Sequence, residues 1–270
     1  MDVLYLVWIM GLAGLAYLVI FMRLFAMIGR IKERLIYCRD SHYNRVLVYE
    51  EGFIRTLRLG YNSRDRKQSV IDVRDLNTHQ LEYTQLAFAG LLLNRAPAKV
   101  LVIGLGGGVI PRDMHDYFPE AEIDVVEIDP EIVKVAELFF FFKPDERLRV
   151  YVADGREFVQ QQASREPRPA YDMVVVANVL RSNRLFDAEL RTFEAVYGRY
   201  YVFLGRHVSN AILLSPGPDT PDLEYITALE TADLLQQKHG FTFDLNAVTR
   251  QFKPQFRTSR KAKILTDDCV

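Results

Sequence analysis

The sequence predicts an α/β fold: an open, doubly wound, mainly parallel sheet, preceded by a small β-hairpin domain and an apolar N-terminal run. Three observations carry that expectation. From Lys99 onward, short apolar runs alternate with stretches of helical spacing. A glycine-rich loop follows the first of those runs, and acidic residues close the next two. Composition permits such a fold, since the 270 residues are 49% hydrophobic and 26% charged. The 34 basic and 35 acidic side chains leave a net charge of −1, so nothing in bulk charge points to nucleic acid. Cys38 and Cys269 cannot build a disulfide framework or a cysteine-rich metal site. His42, His79, His115, His207 and His239 are scattered without ligand spacing, and no metal is expected.

Element by element, Arg45–Glu50 and Phe53–Leu59 flank Glu51-Gly52 and read as a hairpin, with Phe53, Leu57 and Leu59 on one side and Arg58 on the other. Gln80–Leu93 has helical spacing and is broken by Ala96-Pro97-Ala98. Strands follow at Val100–Ile103, Ile123–Ile128, Leu148–Val152 and Met173–Ala177. Helices stand between them at Ile110–Phe118, Pro130–Phe142 and Arg156–Gln162, and such alternation means right-handed β-α-β units. Phe186–Val196 is a further helix, Arg199–Leu204 and Asn210–Leu214 are terminal strands, and Asp222–Lys238 is a last helix stopped by Gly240. The expected division is 1–29 anchor, 30–40 basic connector, 41–95 small β and capping domain, 96–215 sheet domain, and 216–270 C-terminal helix and mobile tail.

The anchor rests on Val3–Met22, twenty positions without a charge. As a helix that run is about 30 Å long, the thickness of a bilayer core. No basic n-region or cleavage site suits a signal peptide, and the alternative is a buried helix. Arg23, Arg30, Lys32, Arg34 and Arg39 follow the run, placing the rest of a single-pass membrane protein on the cytoplasmic side. The basic stretch Lys253–Lys263 is either a solvated end or a contact with anionic membrane lipid. Phe139–Phe142 reads as core plus a subunit contact, with a homodimer as the expected assembly.

The loop Gly104-Leu105-Gly106-Gly107-Gly108 lets the backbone approach a ligand closely, and the helix after it offers free N–H groups. It departs from the dinucleotide fingerprint, because Val109 stands where the third glycine belongs. Glu127 ends the second strand, where a carboxylate can accept both hydroxyls of a ribose. Asp154-Gly155 ends the third, within reach of an adenine edge. All three lie on the carboxyl rim of the sheet and would meet around one nucleoside. Asp129, before Pro130, reads as a helix cap.

These motifs, Gly104–Gly108 with Pro111-Arg112, Val125-Val-Glu-Ile-Asp-Pro130 and Asp154-Gly155-Arg156, resemble the spermidine synthase-like polyamine aminopropyltransferases, whose fold is the Rossmann-like class I methyltransferase type. Upstream, Tyr43-Asn44-Arg45, Gln68-Ser69 and Leu81-Glu-Tyr-Thr84 fit the same family's small domain and site-capping helix. The resemblance implies that Gly104, Gly106, Gly107 and Gly108 line a sulfonium nucleoside, either decarboxylated or intact S-adenosylmethionine. Glu127 would hold its ribose, and Asp154 with Gly155 its adenine. Gln68 would border the aminopropyl group and Tyr83 the polyamine side.

Aminopropyl transfer has an amine attack the carbon beside the sulfonium, so a carboxylate must take a proton from a group with pKa near 10. The family places that Asp after the fourth strand, where this chain has Ala177-Asn178-Val179. Asp172 precedes the strand and reads as structural. Between Val179 and Phe186 there is no room for a further helix and strand, so one αβ unit is expected to be absent, with Arg181 and Arg184 in the short link. The implied function is a spermidine synthase-like transferase with its catalytic residue unassigned. The alternatives are a catalytically silent nucleoside-binding module and an S-adenosylmethionine-dependent methyltransferase.

Overall fold

The computed structural model describes residues 14–23, 32–60, 67–164, 171–180, 186–206, 210–218 and 220–253. It contains two sheets. Strands β1 (Arg34–Asp40), β2 (Arg45–Glu51), β3 (Ile54–Leu59) and β4 (Lys67–Asp72) form an antiparallel sheet in the order β1-β2-β3-β4. The predicted hairpin is thus its middle pair, turning at Gly52 with φ +61°. The expected connector 30–40 is corrected, because most of it is the edge strand β1. Its charged side chains are compatible with a strand open to solvent on one edge. Arg58 lies opposite Leu57 and Leu59 as expected, yet it is buried, paired with Glu33 and stacked over the Tyr49 ring; Phe53 is corrected, since it precedes β3 and is exposed.

The larger sheet has seven strands in the order β11-β9-β10-β8-β5-β6-β7. These are β5 (Lys99–Ile103), β6 (Glu122–Glu127), β7 (Leu148–Val152), β8 (Met173–Leu180), β9 (Tyr201–Leu204), β10 (Asn210–Pro216) and β11 (Phe252–Lys253). β5 pairs in parallel with β6 and β8, and β6 with β7, whereas β10 is antiparallel to β8 and β9. Successive side chains of a strand face opposite ways, so each central strand feeds two cores. Val100, Val102, Ile123 and Val125 join one with Val48, Leu57 and Ile71 of the small sheet. Leu101, Val126 and Val174 join the other with Phe158, Leu190 and Phe193. Helices and cores on both faces match the doubly wound expectation, but the sheet is mixed and not mainly parallel, with three parallel and three antiparallel pairings among the described residues.

Helix α1 spans 14–23, α2 Glu82–Ala87, α3 Val109–Tyr117, α4 Pro130–Phe139, α5 Gly155–Ala163, α6 Phe186–Tyr197, α7 Tyr225–His239 and α8 Leu245–Thr249. The predicted Gln80–Leu93 helix is shorter as an α-helix, because Phe88–Leu92 tightens into a 3-10 turn. There Gly90 faces Met173, and a Cβ would fall 2.0 Å from its sulfur. The Pro130–Phe142 helix ends at Phe139, since Phe141 takes φ +60°.

Most of the expected anchor, and the expected tail with Lys253–Lys263 beyond Lys253, lie outside the described residues. Within the anchor, 14–23 is helical, and Leu15, Leu18, Ile20 and Phe21 are exposed. Among the described residues no helix is long and apolar enough to cross a membrane.

At the carboxyl end of β8, Ala211 of β10 faces Val179 and Leu213 faces Val176, so Ala177 and Asn178 together oppose Ile212. No strand stands between β8 and β10, and only residues 181–185 separate β8 from α6. Five residues are too few for a helix and a strand.

Candidate functional site

A cleft of about 180 Å³ opens where the small sheet meets the carboxyl rim of the large one. From the rim come Gly104, Leu105, Gly106, Val109, Ile110, Glu127, Asp129, Ile132 and Ala177. Asn44, Leu57, Leu59, Gln68 and Tyr83 close it from the other side. Of the predicted set, Gln68, Tyr83, Gly104, Gly106 and Glu127 meet here.

The loop between β5 and α3 owes its path to its glycines. Gly104, Gly106 and Gly108 have φ of +93°, +56° and +73°, a region costly for residues with a Cβ. Packing adds a second demand. A Cβ on Gly108 would lie 2.5 Å from the Phe142 ring, and one on Gly107 would lie 2.8 Å from the ring of Phe140. Gly107 and Gly108 are therefore buried under the phenylalanine segment and do not line the cleft. That segment is core, with Phe140 and Phe142 buried. Of its four rings only Phe141 is exposed, under the Arg55 guanidinium.

Glu127 reaches the loop from the end of β6. Its Oε2 accepts from Leu105 N at 2.9 Å and its Oε1 from Asp129 N at 3.1 Å. Burial raises its pKa above that of an ordinary glutamate and the neighbouring Asp129 adds to this, while the backbone N–H groups pull it down. A carboxylate has about four lone-pair sites, so this one keeps acceptor capacity for hydroxyl donors. Asp129 is the cap expected of it, its Oδ1 accepting from Glu131 N at 3.0 Å. It does more, because its Oδ2 accepts from Ser41 Oγ at 2.5 Å and ties the small sheet to α4.

Tyr83 is buried, and its hydroxyl donates to Gln68 O at 2.5 Å. Burial pushes its pKa up to about 12, so it remains a neutral phenol. Arg112 fixes α3 by donating to Asp113 Oδ1 (2.8 Å), Leu76 O (2.6 Å) and Phe140 O (3.4 Å).

Asp154 stands outside the cleft's lining. It caps α5, accepting from Arg156 N at 2.7 Å, and pairs with the Arg156 guanidinium at 3.0 Å. These contacts hold its carboxyl below the usual range against the opposing effect of burial. Gly155 permits close packing on Ile103, which a Cβ would meet at 2.7 Å. Asp172 is structural as expected, its Oδ2 accepting from Ala98 N and Lys99 N, both at 2.8 Å. Ala177 brings no acid to the β8 side, and the lining carboxylates are Glu127 and Asp129, both on the β6 side. Among the described residues no group of three or more acids, histidines or cysteines could hold a metal.

Sequence reasoning missed Asn44, Leu57, Leu59, Leu105, Val109, Ile110, Ile132 and Ala177 as lining residues. Their signal is weak because most are ordinary core types, and Leu57 and Leu59 reach the cleft only through packing of one sheet on another.

A family model described as "Spermine/spermidine synthase domain" matches residues 81–194. A polyamine aminopropyltransferase of Vibrio vulnificus (strain CMCP6) is 27% identical over 269 residues, covering 87% of this chain and 89% of that protein. The Bos taurus eEF1A lysine and N-terminal methyltransferase is 44% identical over 84 residues, which span 31% of this chain but only 12% of that much longer protein. In fold, the crystal structure of a probable spermidine synthase from Corynebacterium glutamicum ATCC 13032 is similar, with TM-score 0.56, 15% identity, and coverage of 85% of this chain and 98% of that one.

Proposed function

We propose that this spermidine synthase-like chain binds an S-adenosylmethionine-type nucleoside in the cleft between its two sheets and acts as a transferase on it. One observation carries the reading: Glu127 and the Gly104–Gly106 backbone line the same cleft as Gln68 and Tyr83. The residues fit the ligand class. A buried carboxylate with spare acceptor capacity suits a ribose diol, and Gly106, at φ +56°, lines the cleft with backbone alone. Leu57, Leu59, Val109, Ile110 and Ile132 supply apolar surface for a base and a thioether, and they exclude water.

By family likeness the transferred group is aminopropyl and the acceptor a polyamine, with decarboxylated S-adenosylmethionine as donor. A second reading has one observation in its favour. Ala177 stands where a proton-accepting Asp is expected, so among the described lining residues the β8 side offers no counter-charge for a polycation. A silent nucleoside-binding module, or a methyltransferase using intact S-adenosylmethionine, needs no carboxylate there.

Calorimetric titration of the full chain with S-adenosylmethionine, its decarboxylated form and 5′-methylthioadenosine, followed by a putrescine turnover assay, tests both readings. Turnover with the decarboxylated donor is expected for the first; tight binding without turnover would overturn it in favour of the second. Val3–Met22 is further proposed as a membrane tether with the catalytic body on the cytoplasmic side, supported by its twenty uncharged positions. Extraction of the full chain only by detergent is the expected result; recovery in the aqueous fraction would contradict it.

A further inference from the structure

We infer that Ser69, which does not itself line the cleft, is a positioning residue that transmits the state of the small sheet to the nucleoside-binding loop. The inference rests on the nucleoside reading above. Ser69 is 1% exposed and sits on β4 between the cleft-lining Gln68 and the core. Its hydroxyl accepts from Gly107 N at 2.7 Å and donates to Gln68 O at 2.9 Å. Gln68 O also accepts from Tyr83 OH, and that phenol stands 3.4 Å from Ser69 Oγ. A hydroxyl has one proton and two lone pairs, so these partners use its donor and leave one acceptor site.

The same oxygen bounds the loop sterically, since a Cβ on Gly106 would come within 2.9 Å of it. The glycine loop is therefore gripped at two points. Glu127 holds Leu105 N from the large sheet, and Ser69 holds Gly107 N from the small one. Gly106, whose backbone lines the cleft, lies between the two grips. Glu127 also engages the Gly106 N–H, so from the large sheet it restrains the loop up to Gly106, while Ser69 restrains the Gly107 N–H beyond it. With both, the loop is held in its φ +56° conformation before a ligand arrives, which lowers the ordering cost of binding.

Position 69 also joins two elements that face the ligand from opposite sides. A shift of β4 that moves Gln68 or Tyr83 must move Gly107 with it, so the capping side and the loop close as one unit. Ser69 donates within its own strand, to Gln68 O, but accepts from a loop 38 positions away that follows a strand of the other sheet.

The test is nucleoside affinity of the full chain, with 5′-methylthioadenosine as the probe, in wild type, Ser69→Ala and Ser69→Thr. Ser69→Ala leaves the buried Gly107 N–H without its acceptor and should weaken binding about ten-fold, as expected for one buried hydrogen bond. Ser69→Thr keeps the hydroxyl and should recover most of that loss, which general destabilisation would not allow. Hydrogen exchange on the wild-type chain needs no variant to fold: the Gly107 amide should be protected without ligand and more so with it. Equal affinity in wild type and Ser69→Ala, or a Gly107 amide exchanging as in an open loop, overturns the positioning role. Failure of the wild-type chain itself to bind any nucleoside would overturn the parent reading together with this one, and is a distinct outcome.

Discussion

On its β5–β6 side the cleft is held by interlocking restraints: positive-φ glycines roofed by Phe140 and Phe142, a carboxylate on Leu105 N and a serine on Gly107 N. On its β8 side the strand bulges at Ala177-Asn178, and Ala177 faces the cleft with a methyl group. The first side cannot vary without moving several packed elements. The second carries no comparable demand, because Ala177 meets the cleft without a hydrogen-bonding side chain. On the proposed reading, nucleoside binding depends on the first side and acceptor chemistry on the second.

The largest expected effect breaks the first side. Gly108→Val combines a left-handed backbone with a clash against Phe142, and should destabilise the chain by about 3 kcal/mol, measured by chemical denaturation. Glu127→Gln should leave the fold intact and cost about 2 kcal/mol of nucleoside binding by calorimetry, the loss expected for hydrogen bonds to a charged group.

The raised pKa of Glu127 adds a pH signature. The folded chain holds this proton more tightly than the unfolded one, so the residue's contribution to stability is present in acid. It is lost as pH rises from the ordinary glutamate value through the raised one. Ribose hydroxyls need the ionised form, so affinity should fall as pH drops through that same window, and Glu127→Gln should abolish the dependence.

Asp172→Ala removes acceptors for two backbone N–H groups at the far edge of the sheet. It should cost about 1 kcal/mol of stability without changing nucleoside affinity, which would separate the scaffold from the rim. The smallest effect sharpens the second side. Ala177→Asp places a carboxylate in a half-exposed position and should raise affinity for putrescine only a few-fold, because such a pair is worth about 1 kcal/mol or less.

Much of this site was legible in the sequence because it depends on strand ends and glycine spacing. Gly104, Gly106 and Glu127 sit where any parallel β-α-β sheet brings its carboxyl rim together. Asp154 lies outside the cleft's lining for a local reason. In Asp154-Gly-Arg-Glu157 an acid that ends a strand also starts a helix, and the cap with the Arg156 pair claimed the side chain. Asp129 carried the same ambiguity, and there the cap reading held.

Strands β1 and β4 were unreadable because one is a charged sheet edge and the other begins Lys67-Gln68, with little alternation to mark it. The cleft's inner wall, Leu57 and Leu59, was hidden because inter-sheet packing has no sequence periodicity of its own.

A structure of the full chain with 5′-methylthioadenosine should place the ribose hydroxyls on the Glu127 carboxylate and seat the nucleoside between the Gly104–Gly106 backbone and Gln68. A nucleoside bound elsewhere, with Glu127 touching only its present backbone partners, would contradict this placement.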